Sequence, residues 1–298
     1  MKALRAKIGI LPSVAQPTFR LSASDLRREI GARNLLLAQG IAHESTFGSV
    51  PSVLYQEANG DHGNFLPATY RRICASADWN RRLKKCYTSS KRIARSGDRT
   101  RRELDCANSS DALLMNVFCY PGVTCRDAVC SLLGIEPGLK PEFGVRPGTP
   151  LVSGGVDRTE IDMSLGHLFV EAKLTESRFQ TVRRDLVFRY TDLDSVFDVG
   201  ELPTSDNVFH SYQLIRGVLA AHHRQRSFLV LFDARRADLS ECWYRILRAV
   251  RSSELRSRLA ILTWQELSYA LPRTLQGFLQ GKYGISGAET RARERSAK

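Results

Sequence analysis

The 298-residue sequence contains no apolar run approaching the roughly 18 residues that a membrane-crossing helix requires. Its first hydrophobic stretch, Ile8-Gly9-Ile10-Leu11, stops at Pro12, too short for the core of a secretory signal. These absences predict a cytoplasmic chain with no membrane partner. Its seven cysteines are an odd number without a Cys-x-x-Cys pair, and no histidine stands at zinc-finger spacing, which predicts free, mostly buried thiols. No Gly-x-x-x-x-Gly-Lys-Ser/Thr loop is present, which excludes a P-loop motor, and Ser109-Ser110 lacks the setting of a nucleophile elbow. Acids are also short: 31 Asp and Glu face 44 Lys and Arg, for a net charge of +13.

What is present is the composition of a globular protein, 43% apolar and 25% charged. A fold of this length buries roughly 75% of its extended-chain surface, so its core needs no disulfide or structural metal. The positive charge is concentrated. Between Arg71 and Arg102 stand twelve cations and two acids, so 32 residues carry +10 of the total. Arg81, Arg82, Lys84, Lys85, Lys91 and Arg92 form its centre, with Trp79 and Tyr87 available to stack on bases or lie over arginine. Such concentration is the footprint of a polyanion-binding surface, and nucleic acid is the expected ligand, DNA or RNA. A solvated basic face and an acidic protein partner are the competing readings.

Residues 134 to 155 hold six Gly and four Pro, which predicts a long loop between two halves. Before it, Ser109-Ser110-Asp111 caps the apolar run 112 to 118 as a helix. After it, residues 158–165 and 168–174 alternate with period two around Gly166-His167, the pattern of a hairpin. A helix is expected over 209–222, a buried strand over Phe228-Leu229-Val230-Leu231-Phe232, a helix over 238–251 and a strand at 260–263 leading into a helix near Trp264. The expected organisation is a basic, mainly helical region at 1–105, an α/β core at 106–272 and a flexible tail at 273–298.

A two-residue turn at Gly166-His167 pairs residues whose numbers sum to 333. Asp162 then lies opposite Glu171 and Glu160 opposite Lys173, all on one face, with Ile161, Met163, Val170 and Ala172 on the other. Facing carboxylates about 4 Å apart repel by about 4 kcal/mol at an effective dielectric near 20. A divalent cation removes the conflict, and magnesium is commonly held by one or two carboxylates with waters and phosphate oxygens completing its octahedron. Lys173 could then position or help deprotonate a water for phosphodiester hydrolysis. The plainer alternative is a solvated face on which Lys173 pairs with Glu160.

Glu160-Ile161-Asp162, the turn and Val170-Glu171-Ala172-Lys173 resemble the core of the PD-(D/E)XK nuclease superfamily, which includes many restriction endonucleases. The resemblance, over roughly 109 to 263, implies an αβββαβ core with a central mixed sheet flanked by helices. It makes Asp162 and Glu171 the ligands of Mg²⁺ or Mn²⁺, Lys173 the motif lysine, and Gln213, on the helix that follows with His210 and Tyr212, a substrate-side residue. Ile161 stands where the literal motif has proline, and Thr175-Glu176 after Lys173 resembles a Lys-x-Thr-Glu pattern of uncharacterised bacterial relatives. Glu160 or Glu103 could serve as an extra acid, although Glu103 and Asp105 also suit a helix entry. His62 and the pair His222-His223 read as structural. The expected function is a magnesium-dependent DNA endonuclease, and because cutting both strands usually takes two copies, a homodimer is an open expectation. The alternative keeps the fold as a binding module with a degenerate site.

Overall fold

The computed structural model describes residues 20–46, 51–86 and 102–287. Lys91 and Arg92, like Tyr87, lie outside the described residues. At the centre is a five-stranded mixed sheet. We label its strands β1 (Glu142–Val145), β2 (Ile161–Leu165), β3 (Leu168–Ala172), β4 (Ser227–Phe232) and β5 (Leu259–Thr263). Their spatial order is β5-β4-β3-β2-β1. The β1–β2 and β2–β3 pairs are antiparallel, while β4 runs parallel to both β3 and β5.

The helices that concern the site are α1 (Ala23–Leu37), α2 (Pro67–Ala75), α3 (Ala77–Leu83), α4 (Ser110–Phe118), α5 (Asp127–Leu133), α6 (Tyr212–His223), α7 (Ala237–Ala249), α8 (Trp264–Ala270) and α9 (Arg273–Tyr283). Two apolar clusters cover the sheet. One joins Met163, Leu165, Val170, Leu229 and Leu231 to α1, α4, α5, α8 and α9. The other joins Phe169, Phe228, Val230 and Phe232 to α6 and α7. Strand β4 is thus apolar throughout because both its faces are covered. Gly217 lets α6 press onto it, since a Cβ there would stand 2.2 Å from the Phe228 ring.

Four expectations change. The Gly- and Pro-rich stretch 134–155 is not loop throughout, because it contains the edge strand β1, whose Phe143 and Val145 pair with Met163 and Ile161. The tail expected from 273 begins instead with α9, which buries Leu275, Leu279 and Tyr283 at helical spacing against the same core as Leu26 and Ile30 of α1. Of the cysteines, all are free, but Cys74, Cys86 and Cys125 are exposed.

The fourth change concerns the hairpin. Its pairs Met163↔Val170, Ser164↔Phe169 and Leu165↔Leu168 keep the expected register, but the ladder stops there. On the other side of β2, Gly144 sits at φ +66 and takes no part in the pairing. An interruption of this kind bends and twists a strand. Ile161 accordingly joins the cluster of Phe169 and not that of Met163. Past the end of the ladder, Asp162 uses its side chain: Oδ2 accepts from the Ala172 amide at 2.8 Å.

Candidate active site

Strand β3 delivers Glu171 and Lys173 to the end of the sheet where β2 delivers Asp162. The Lys173 backbone is fixed from both sides, its N–H donating to the Leu231 carbonyl at 2.8 Å and its carbonyl accepting from Trp264 Nε1 at 3.0 Å. Its Nζ donates to Glu171 Oε1 at 2.7 Å, and both side chains are almost wholly buried. The Phe179 ring lies 5.8 Å from the ammonium. Burial works against a charged lysine, but Glu171, Asp162 and Glu176 outweigh it and hold the Lys173 ammonium above its ordinary range. Asp162 is pushed the same way. Burial, then the charges of Glu171 and Asp111, raise its carboxyl well above the usual value, against smaller opposing effects of Lys173 and the Ala172 amide.

The loop after Lys173 is equally pinned. Glu176 accepts from the Leu174 amide at 2.7 Å and from Ser110 Oγ at 2.5 Å, and fully buried Arg236 donates to the carbonyls of Glu176 and Ser177. Thr175 Oγ1 meets Asn108. The Thr175-Glu176 pair therefore ties the lysine-bearing strand to the start of α4.

Beside this triad lies a second charged cluster. Asp111, on the first turn of α4, accepts from Arg82 Nη2 at 2.9 Å and Lys85 Nζ at 3.0 Å. Arg82 also donates to Glu160 Oε2 at 2.9 Å, and Lys85 pairs with Glu103 at 3.0 Å. Burial opposes ionisation of Asp111, yet Arg82 and Lys85 hold its carboxyl below the usual value. Glu103 moves up, through burial and the nearness of Asp111. Arg82 reaches this position over Gly144, where a Cβ would stand 2.3 Å from its Nη1.

The structure thus brings together Asp162, Glu171 and Lys173, and sets Glu160 and Glu103 in the neighbouring cluster rather than beside Lys173. Of the six cations expected on a phosphate-binding face, Arg81 and Lys84 are exposed, whereas Arg82 and Lys85 turn inward onto acids. Trp79 is buried, donating Nε1 to the Pro141 carbonyl with Arg72 over its ring, and offers no stacking platform. Gln213 begins α6 with its amide on the Phe179 carbonyl; among the described residues its side chain bonds none of the triad. His62 pairs with Asp105 and accepts from the Asn64 amide, a structural role. Asp111 was missed because an acid in the first turn of a helix reads as a dipole partner. Its signal was the apolar run behind it, which makes every residue of α4 buried and leaves Asp111 needing cations.

A family model described as Restriction Endonuclease associating with ARP matches residues 39–284. The chain belongs to this family. No curated protein and no solved structure matches it significantly. Membership in the restriction endonuclease associating with ARP family agrees with the resemblance carried by Asp162, Glu171 and Lys173, and it points to a nuclease function with DNA as the substrate class. The match extends past both ends of the α/β core into α9 and the strands near His43, so the basic helix α3 lies inside the family's unit. No helix among the described residues is long and apolar enough to cross a membrane.

Proposed function

We propose that the protein is a magnesium-dependent DNA endonuclease in which Asp162 and Glu171 hold the cation and Lys173 stands beside the attacking water. The observation that carries this reading is the 2.7 Å Lys173–Glu171 pair with Asp162 beside it, buried together at the end of β2 and β3. The order α4, β1, β2, β3, α6, β4, with α5 and several short elements interposed, supports this reading.

The donor set fits one hard divalent ion. Among the described residues Asp162 has no salt-bridge partner; its carboxylate accepts from the Ala172 amide beside the Lys173–Glu171 pair. Carboxylate oxygens suit Mg²⁺ or Mn²⁺ better than softer metals. Among the described residues no three acidic, histidine or cysteine side chains converge as a metal cage, so water and substrate phosphate would complete the coordination. The cation, when bound, would lower the pKa of a water and neutralise charge on the phosphoryl oxygens.

The chain's own residues do the rest. Glu171 orients the Lys173 ammonium, which donates to the attacking water or to a phosphate oxygen. The Ala172 amide fixes the Asp162 carboxylate. Arg82 and Lys85 neutralise Asp111, so that its charge does not add to that of the pair. Gln213, near the start of α6, would contact substrate only. Arg81 and Lys84 would meet the DNA backbone.

Incubation with plasmid and linear DNA, with Mg²⁺, with Mn²⁺ and with EDTA, tests the proposal. Metal-dependent nicking that disappears in Asp162→Asn and in Lys173→Ala is the expected outcome. Binding without cleavage under every metal would leave a binding module instead.

A further inference from the structure

We infer that the DNA backbone enters along a groove between α3 and the edge strand β1, gripped on its far wall by Lys140 and Arg146. The inference rests on the nuclease reading and extends it to residues that the basic segment does not include. The groove encloses about 650 Å³. Asp78, Trp79, Arg81, Arg82 and Lys85 form one wall; residues 140 to 146 form the other, with Glu160 at its inner end.

Three observations give the groove its direction and ligand. Its outer cations Arg81, Lys140 and Arg146 come from segments some sixty residues apart, so their convergence is a product of the fold and not of a charge run in the sequence. All three are exposed, and their partners are weak holders. Arg81 and Lys140 share the exposed Asp78 at 3.1 and 3.7 Å, and Arg146 touches Glu160 at 3.2 Å. Exposed pairs of this kind contribute little and exchange readily for a phosphate. Finally, Arg82 on the groove wall bonds Glu160 at the inner end and lies close enough to Asp162 to feel its charge, so a strand laid in the groove heads toward the proposed catalytic carboxylates. The outer part selects a polyanion and the inner part presents acids for a metal, an arrangement that suits a phosphodiester backbone and not an acidic peptide.

The test measures binding of the full-length protein to a labelled duplex by fluorescence anisotropy, in EDTA so that nothing is cut, across a range of salt concentrations. The test variant is Lys140→Glu with Arg146→Glu. The control, Arg245→Glu with Arg248→Glu on the exposed face of α7, changes net charge equally. Both pairs are at the surface, so folding is spared. The expected result is at least a tenfold loss of affinity for the test pair, with the slope of log affinity against log salt falling by about 2, since each phosphate contact contributes about 0.9. The control should lose no more than about twofold. Equal losses in the two pairs, or none in the test pair, overturn the groove while leaving the enzyme reading intact. A wild-type protein that binds no duplex overturns both.

Discussion

Two buried ionic clusters lie side by side at one end of the sheet, and they are built on opposite principles. In the outer one, Asp111 accepts from both Arg82 and Lys85, and Arg82 spans to Glu160, so acids and cations are matched. In the inner one, Lys173 bonds Glu171 and leaves Asp162, among the described residues, with only a backbone amide. Removing charges from water is repaid only when they are paired and hydrogen-bonded. The outer cluster meets that condition, and the inner one does not. An acid left in excess beside a fixed lysine stabilises nothing by itself; its use is to attract something from outside.

The sharpest way to break this comparison is to remove the lysine. Lys173→Ala should lower the rate of DNA cleavage by about 10²–10³-fold, the usual loss when a donor aimed at charge developing in the transition state is removed. Duplex affinity in EDTA should stay within a few fold. A variant that cleaves at the wild-type rate would make Lys173 a structural cation like Arg82.

The outer cluster should fail in the other currency, stability. Arg82→Gln strips Asp111 and Glu160 of their shared cation, and breaking a buried pair from one side costs about 3–5 kcal/mol. Lys85 still bonds Asp111, which places the loss near the lower bound. Chemical denaturation would measure it. The pH dependence carries a sign: the Asp111 carboxyl is held below its unfolded value, so its stabilising contribution is present above that value and is lost as pH falls through the depressed one. In Arg82→Gln that acid-side loss should shrink.

How far such contrasts can be read from sequence depends on whether the signal is local. The hairpin register, the strand 228–232 and the α4 cap were legible because period-two alternation, an unbroken apolar run and a Ser before a helix each state their cause within ten residues. The meeting of Asp162, Glu171 and Lys173 was legible only in part: the register holds from Met163 to Leu165, but beyond it Asp162 takes the Ala172 amide and Glu160 turns to Arg82. Strand β1 was not legible, since Glu142-Phe143-Gly144-Val145 stands among Pro and Gly and is a strand only because β2 offers it an edge. Helix α9 was hidden by Gly277 and Gly281, which lower the helical signal inside it. Arg82 and Lys85 looked like phosphate ligands because the acids that hold them lie some twenty to eighty residues away in sequence, joined only by the fold.

Asp162→Asn asks whether the inner cluster is short of positive charge. The folded protein raises the Asp162 carboxyl, so its neutral form is favoured; that contribution is full below the unfolded value and is lost as pH rises through the raised one. The amide removes this loss. In EDTA at neutral pH the variant should therefore melt higher than wild type, by about 1–2 kcal/mol or a few degrees. Added Mg²⁺ should raise the wild-type melting temperature and leave the variant's unchanged. A variant that melts lower in EDTA would mean that the Asp162 charge is already compensated.

The smallest effect belongs to the exposed pairs, and it sharpens the contrast with both buried clusters. Asp78 holds Arg81 and Lys140 at the mouth of the groove while itself largely in water. Salt and solvent screen such contacts, so Asp78→Asn should leave the melting temperature within about 1 °C of wild type. Its consequence lies in binding. With Asp78 neutral, neither cation has to leave a carboxylate before meeting a phosphate, and duplex affinity should rise by about two- to threefold at low salt, with the gain vanishing as salt is raised. A fall in affinity would make Asp78 a residue that positions the two cations rather than one that competes for them.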